Sequence, residues 1–282
     1  MDATRAQRLR EQAKTLRRWH AGPELLVLPN AWDAGSARLF ERMGFRAVAT
    51  TSSGVAAALG YADGERMSRD EMVAAIGRIA RVVACPVTAD IEAAYGTTLD
   101  AKLETIRLVL DAGAVGINIE DSTHDEGHPL AEIAAQQELI RAIRALGEAQ
   151  GIPLVINART DVYLYGEGDA EARLAEATRR MNAYREAGAD CLFPILVADA
   201  ETIGALARAV DAPINILASP RTPTLPELAA LGVRRVSFGG GLSRAALGAT
   251  KRVAEELLTS GTYVRMTEEL LPADDWRGLF GG

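Results

Sequence analysis

Carboxylates recur where short apolar runs end. Asp33 follows one such run and Asp90 and Glu92 another, then come Glu120 with Asp121, and Asp161 just after Arg159. Amides and hydroxyls sit in equivalent places: Asn30, Thr51-Ser52-Ser53-Gly54, Asn118, Asn157, Asn215 and Ser237. Asp90 and Glu92 are two apart, so an extended chain would point both the same way. Asn118 and Glu120, like Asn157 and Arg159, share that period. Three or more inward carboxylates do not stay ionised together in a partly dry cavity without a cation. All-oxygen donors, with few His or Cys at hand, favour Mg²⁺, with Mn²⁺ as the alternative, over zinc. Asp90, Glu92 and Glu120 are the expected metal ligands, with Arg159 opposite. Taken singly, each acid could equally cap the helix that follows it.

The elements that would position these residues alternate. Strands are expected at Leu25–Pro29, Ala47–Thr51, Val87–Ile91, Val115–Glu120, Leu154–Ala158, Cys191–Leu196, Ile214–Leu217 and Arg235–Phe238. Helical stretches lie between them, among them Ala34–Met43, Arg69–Ala80, Leu99–Ala112, Leu130–Gln150, Ala170–Ala187 and Arg244–Ser260. Ser68 with Glu71 and Thr224 with Glu227 fit capping boxes, and Gly44, Gly113, Gly151, Gly188 and Gly232 fit helix ends. Strands alternating with helices force parallel pairing through right-handed crossovers. Eight such units close as a (β/α)8 barrel of the TIM type, whose working residues sit at strand C-termini. An open doubly wound sheet is the other arrangement, but no G-x-G-x-x-G follows the first strand. One domain is expected over residues 1–282: an N-terminal helix to residue 24, the barrel over 25–260, and a tail over 261–282 spotted with Tyr263, Trp276 and Phe280.

Composition narrows the function. Of 282 residues, 48% are hydrophobic and 24% charged, enough apolar material for a sizeable core. Lys and Arg number 31 against 38 Asp and Glu, a formal charge of −7, which speaks against a phosphate-backbone partner and so against nucleic acid. No apolar run approaches the ~18 residues of a membrane span. Only Cys85 and Cys191 occur, which suits buried thiols in a reducing, cytoplasmic setting better than a disulfide framework. Ala6, Leu9, Ala13 and Leu16 give the basic N-terminus helical spacing, without the apolar core of a secretory signal.

Taken as an ordered set, Val87-Thr-Ala-Asp90-Ile-Glu92-Ala-Ala-Tyr-Gly96, Gly116-Ile-Asn-Ile-Glu120-Asp121 and Asn157-Ala-Arg159-Thr-Asp161 resemble the isocitrate lyase/phosphoenolpyruvate mutase superfamily. Pro29-Asn-Ala-Trp-Asp33 and the run from Thr51-Ser-Ser-Gly54 to Leu59-Gly-Tyr-Ala-Asp63 are similar to it too. The resemblance spans roughly residues 20–260. It implies a barrel whose last helix swaps onto a neighbour, a homodimer or homotetramer, and Mg²⁺ at the strand ends acting on 2-oxo acids and their enolates. Carried over by position, Asp90 is the principal metal ligand, with Glu92 beside it and Glu120 and Asp63 in a water-mediated shell. Ser52, Ser53 and Gly54 form a carboxylate cradle, Arg159 holds the oxo acid, and Trp32 and Asn215 complete the substrate set. Arg159, Glu120, Asp63 and His128 form the expected catalytic set.

One segment departs from the pattern. Isocitrate and methylisocitrate lyases carry a Lys-Lys/Arg-Cys-Gly-His lid after the acidic pair, whereas this chain reads Ser122-Thr-His-Asp-Glu-Gly-His-Pro129. Phosphoenolpyruvate mutases place a Lys where Ser122 stands. His124 and His128 have metal-face spacing for a helix, but Gly127 and Pro129 argue for a loop, where either His is solvated or serves as general acid on closure. Gly239-Gly240-Gly241 reads as a phosphate cup or as a flexible turn. The expected activity is a Mg²⁺-dependent carbon–carbon lyase on a 2-oxo or 2-hydroxy dicarboxylic acid, through an enolate. The alternatives are phosphonopyruvate hydrolase or mutase chemistry, and a non-catalytic barrel that binds 2-oxo acids.

Overall fold

A computed structural model describes residues 2–123, 127 and 129–281. Its strands are β1 (Leu26–Leu28), β2 (Asn30–Ala31), β3 (Val48–Thr50), β4 (Val87–Asp90) and β5 (Gly116–Glu120), then β6 (Val155–Thr160), β7 (Cys191–Pro194), β8 (Asn215–Leu217) and β9 (Arg235–Ser237). All pairings between them are parallel, in the orders β1-β9-β8 and β2-β3-β4-β5-β6-β7. Two joins close the ring. β1 and β2 are one barrel strand interrupted at Pro29, whose carbonyl accepts from Ala49 N at 3.0 Å. A Leu192–Ile214 bridge links β7 to β8. The chain is therefore the expected eight-stranded barrel, with helices on the crossovers.

Local chemistry accounts for the helix ends. Asp33 and Ser36 form a reciprocal capping box at helix Ala34–Arg42, so Asp33 is a cap rather than a site acid. Ser68 and Glu71 do the same at Arg69–Val82, and Gly113, at φ +112°, closes Leu99–Ala112 in a conformation that favours glycine. The N-terminal helix Ala3–Ala21 buries Leu9, Ala13, Leu16 and His20. Leu16 closely approaches Gly116 at the start of β5, so this helix plugs the barrel's N-terminal end. Both cysteines are free, and burial pushes each thiol up to about 12.

Two strand ends differ from expectation in ways that matter for the site. β6 continues to Thr160, which places Arg159 inside the sheet opposite Glu120 and Phe193. β4 stops at Asp90, and Glu92, Ala94 and Tyr95 all take positive φ (51°, 76° and 52°). The two-residue period therefore fails beyond Asp90, and Glu92 does not point with it. Helices Ser52–Leu59 and Val162–Tyr165 lie in the loops after β3 and β6, where no helix is expected from the sequence. Among the described residues no helix is long and apolar enough to cross a membrane.

The last long helix, Gly241–Ser260, buries only Ser243 and leaves Leu247, Leu257 and Leu258 exposed. The tail behind it exposes Tyr263, Leu270, Trp276 and Phe280; Glu269 pairs with Arg252 of that helix at 2.7 Å, and Leu279 is buried, its carbonyl accepting from Arg38 Nε at 3.0 Å.

Candidate active site

At the C-terminal ends of the strands the barrel opens into a cavity of about 190 Å³. It is below the ~300–1,000 Å³ typical of drug-sized ligands and suits a small molecule. Of the residues expected at the site, Ser52, Ser53, Asp63, Asp90, Arg159 and Asn215 line it. Asn118, Asn157, Ser237, Gly239 and Gly240 join them.

Asp90 is held on both oxygens. Its Oδ2 accepts from Ser52 N at 2.9 Å, in the first turn of Ser52–Leu59, and its Oδ1 from Asn118 Nδ2 at 2.9 Å. Asn118 Oδ1 accepts in turn from Asn157 Nδ2 at 2.7 Å. The carboxylate is thus fixed by a helix N-terminus on one side and an amide relay across three strands on the other. Asp63 stands at the exposed mouth; desolvation and then the Asp90 charge raise its pKa, with the Ser52 hydroxyl and Gly64 amide opposing.

Arg159 faces the same space with its fork occupied. Nε and Nη2 donate to the two oxygens of Asp161 at 2.5 and 2.8 Å, and Nη1 lies 2.6 Å from Glu120 Oε2. Burial opposes its charge, but Glu120 and Asp161 outweigh it and raise the arginine's pKa. Burial lifts the Glu120 carboxyl well above its usual range, and Arg159 pulls it back.

The geometry corrects the expected set of three direct metal ligands. Among the described residues no three His, Cys, Asp or Glu side chains gather to hold an ion. Glu120 is committed to Arg159. Glu92, buried and outside the cavity wall, accepts from Glu65 N at 2.9 Å and Tyr95 Oη at 3.1 Å. Its carboxyl is pushed up to about 7 by burial and by the charges of Asp90 and Asp63. Two other residues expected at the substrate lie off the cavity wall. Gly54 packs inward, where a Cβ would lie 2.5 Å from Thr51 Cγ2 and 3.0 Å from Trp32 Cβ. Trp32 lies edge-on to Phe40 with centroids 6.4 Å apart, away from the cavity wall. His124 and His128 lie outside the described residues; their flanks meet at a Ser122–Leu130 bridge.

Three residues take roles that their strand positions alone did not assign: Asn30 and Asp121, expected only as strand-end polar groups, and Arg235, expected only as the start of a strand. Asn30 Oδ1 accepts from Phe238 N at 2.7 Å and Gly239 N at 3.0 Å, which holds the 239–241 turn against the cavity. Asp121 turns away from the lumen and is fully buried. It accepts from Thr160 Oγ1, Tyr184 Oη and Arg180 Nη1 at 2.8, 2.7 and 3.0 Å, and from Asp161 N at 2.8 Å. That pins the residue that orients Arg159. Its parity next to Glu120, and an Arg–Tyr pair four apart on helix Ala170–Glu186, are the signals that could have found it. The third is Arg235, on the cavity wall.

A parallel barrel with an acid- and amide-lined cavity at its strand C-termini, and an ion-paired arginine across it, has the arrangement in which (β/α)8 enzymes carry their active sites. The phosphoenolpyruvate phosphomutase family profile matches residues 16–258, and the chain belongs to that family, within the isocitrate lyase/phosphoenolpyruvate mutase superfamily. It is 34% identical to 2-methylisocitrate lyase of Escherichia coli K12 over 239 residues, 82% of this chain and 79% of that protein. A solved structure from Burkholderia cenocepacia J2315, described as a lyase/mutase, superposes with TM-score 0.89 at 40% identity, covering 96% of both chains. That of 2,3-dimethylmalate lyase gives TM-score 0.81 at 26% identity, covering 94% of this chain and 93% of the other. These relatives carry lyase or lyase/mutase descriptions, which supports an enzyme of the lyase kind here.

Proposed function

We propose that the protein is a Mg²⁺-dependent carbon–carbon lyase that cleaves or decarboxylates a small 2-oxo or 2-hydroxy dicarboxylic acid through a pyruvate-like enolate. The observation that carries this is Asp90, immobilised on both oxygens in a 190 Å³ cavity that it shares with Asp63 and Arg159.

A divalent cation fits these residues. Asp63 and Glu92 are each held up in pKa partly by the charge of Asp90, a crowding that a hard cation would relieve. Asp90 would be the direct protein ligand, because Mg²⁺ is usually held by one or two carboxylates with water and substrate oxygens completing its shell. When bound, Mg²⁺ supplies Lewis-acid polarisation of the keto oxygen and neutralises enolate charge.

The chain's own groups do the rest. Helices Ser52–Leu59 and Gly241–Ser260 both begin at the cavity, and their N-termini favour a carboxylate there. Arg159, its fork set by Asp161 and Glu120, presents a permanent charge to the oxo-acid face. Asp63 at the mouth, with its raised pKa, is positioned to hold or release a proton as the bond breaks. The exposed leucines of Gly241–Ser260 form the face that a second copy of this chain would cover, giving a dimer or tetramer.

The test is a panel of 2-oxo and 2-hydroxy dicarboxylates incubated with Mg²⁺-loaded protein, with pyruvate, glyoxylate and CO₂ detected. Turnover is expected on one of them, falling at least ~100-fold in Asp90→Ala and Arg159→Ala. Full turnover in those variants would overturn the proposal. Gly239 and Gly240 at the helix N-terminus on the cavity wall favour a second reading, phosphonyl chemistry. Release of phosphate from phosphonopyruvate would establish it. Ligand binding without product over long incubation would leave a binding barrel.

A further inference from the structure

The inner end of the cavity holds a second guanidinium. On β9, Arg235 and Ser237 line the cavity and Val236 between them does not. Arg235 is 2% exposed. Its Nη1 meets only His20 Nε2, at 3.4 Å. His20 is tied through Nδ1 to Leu16 O at 2.8 Å, and burial, then the Arg235 charge, lowers its pKa to about 4, so it offers a neutral acceptor. Arg235 Nε has no hydrogen-bond partner, and among the described residues no carboxylate forms an ion pair with it.

Arg159 differs in being ion-paired to two carboxylates, Glu120 and Asp161, that set its orientation. A guanidinium keeps its proton in proteins, and a buried charge is costly without an opposite one. The same inner end carries Thr88 Oγ1, Asn157 Oδ1 and Asn215 Oδ1, all buried and unpartnered. Hydroxyls or waters around an anion would satisfy them.

We propose that Arg235 is the inner anion-recognition group of the cavity, so that the ligand is a short dicarboxylate. One carboxylate and its keto or hydroxyl oxygen lie at the Asp90–Arg159 end, and the second carboxylate lies on Arg235. This deepens the 2-oxo-acid reading and rests on it.

Calorimetric titration of the full chain in excess Mg²⁺ with oxalate, 2-oxovalerate and 2-oxoglutarate tests it. The last two have equal carbon number and differ by the second carboxylate. The wild type is expected to bind 2-oxoglutarate at least ~10-fold more tightly than 2-oxovalerate, as a charge-assisted contact would give. In Arg235→Met that preference falls below ~3-fold with oxalate affinity unchanged, and Arg235→Lys keeps part of it. Equal affinities in the wild type, or an undiminished preference in Arg235→Met, overturn the assignment while the 2-oxo-acid reading stands. Failure of the wild type to bind oxalate overturns both. Should Arg235→Met fail to fold, the wild-type ratio and Arg235→Lys still decide the matter.

Discussion

Replacing Arg180 by Met strips the cation from Asp121 while keeping apolar bulk on the buried face of helix Ala170–Glu186. Asp121 is fully buried, and Arg180 is its ion-pair partner at 3.0 Å; its other donors, Thr160, Tyr184 and the Asp161 amide, are neutral. Breaking a buried pair from one side leaves an uncompensated charge and costs about 3–5 kcal/mol. For a chain of this size each kcal/mol moves Tm by about 2–4 °C, so Arg180→Met is expected to melt about 6–20 °C lower by calorimetry. Asp161 N rests on Asp121 Oδ1 and the Asp161 carboxylate forks Arg159, so oxalate affinity should fall as well. Adding Asp121→Asn removes the stranded charge and should recover at least ~1 kcal/mol, a coupling between contacting residues. A single variant within ~1 kcal/mol of wild type would refute the account of this pair.

The other predictions concern the site and its surroundings. Burial, Asp90 and Asp63 raise Glu92 from 4.5 to about 7, so its protonated form is favoured by folding. Its contribution to stability is complete below pH 4.5 and lost as pH rises to about 7, a change of about 3 kcal/mol at ~1.4 per unit. In EDTA, Glu92→Gln should therefore gain on wild type in Tm between pH 5 and 8; a constant difference would contradict it. Gly54→Ala sets a Cβ 2.5 Å from Thr51 Cγ2. Such overpacking should cost about 1–3 kcal/mol in denaturant unfolding, and an unchanged midpoint would show that the site yields freely. Leu257→Glu with Leu258→Glu on the exposed helix face should convert an oligomer to monomer in light scattering, and an unchanged mass would exclude that face.

The barrel was open to sequence reading because each strand is a short apolar run ended by an acid, amide or hydroxyl. Glycines such as Gly113 marked the helix ends, and Asp90, Asn118, Asn157 and Arg159 followed from strand parity. Parity failed at Glu92 because three left-handed residues without a glycine turn the chain just after Asp90. Thr51–Gly54 read as a loop because its polar residues obscured an N-cap, although Thr51 and the following Val-Ala-Ala-Ala run carried a helix signal. Trp32 took its place from an edge contact with Phe40 that no spacing encodes. Arg235 shares parity with Ser237, yet that no carboxylate among the described residues forms an ion pair with it is a three-dimensional property.

Diffraction from crystals soaked with magnesium and oxalate would show whether Asp90 holds the ion. Density for the ion is expected on an Asp90 oxygen, with oxalate chelating it inside the cavity and turned toward Arg159. Ion and oxalate bound elsewhere, with Asp90 still held only by Ser52 and Asn118, would contradict it.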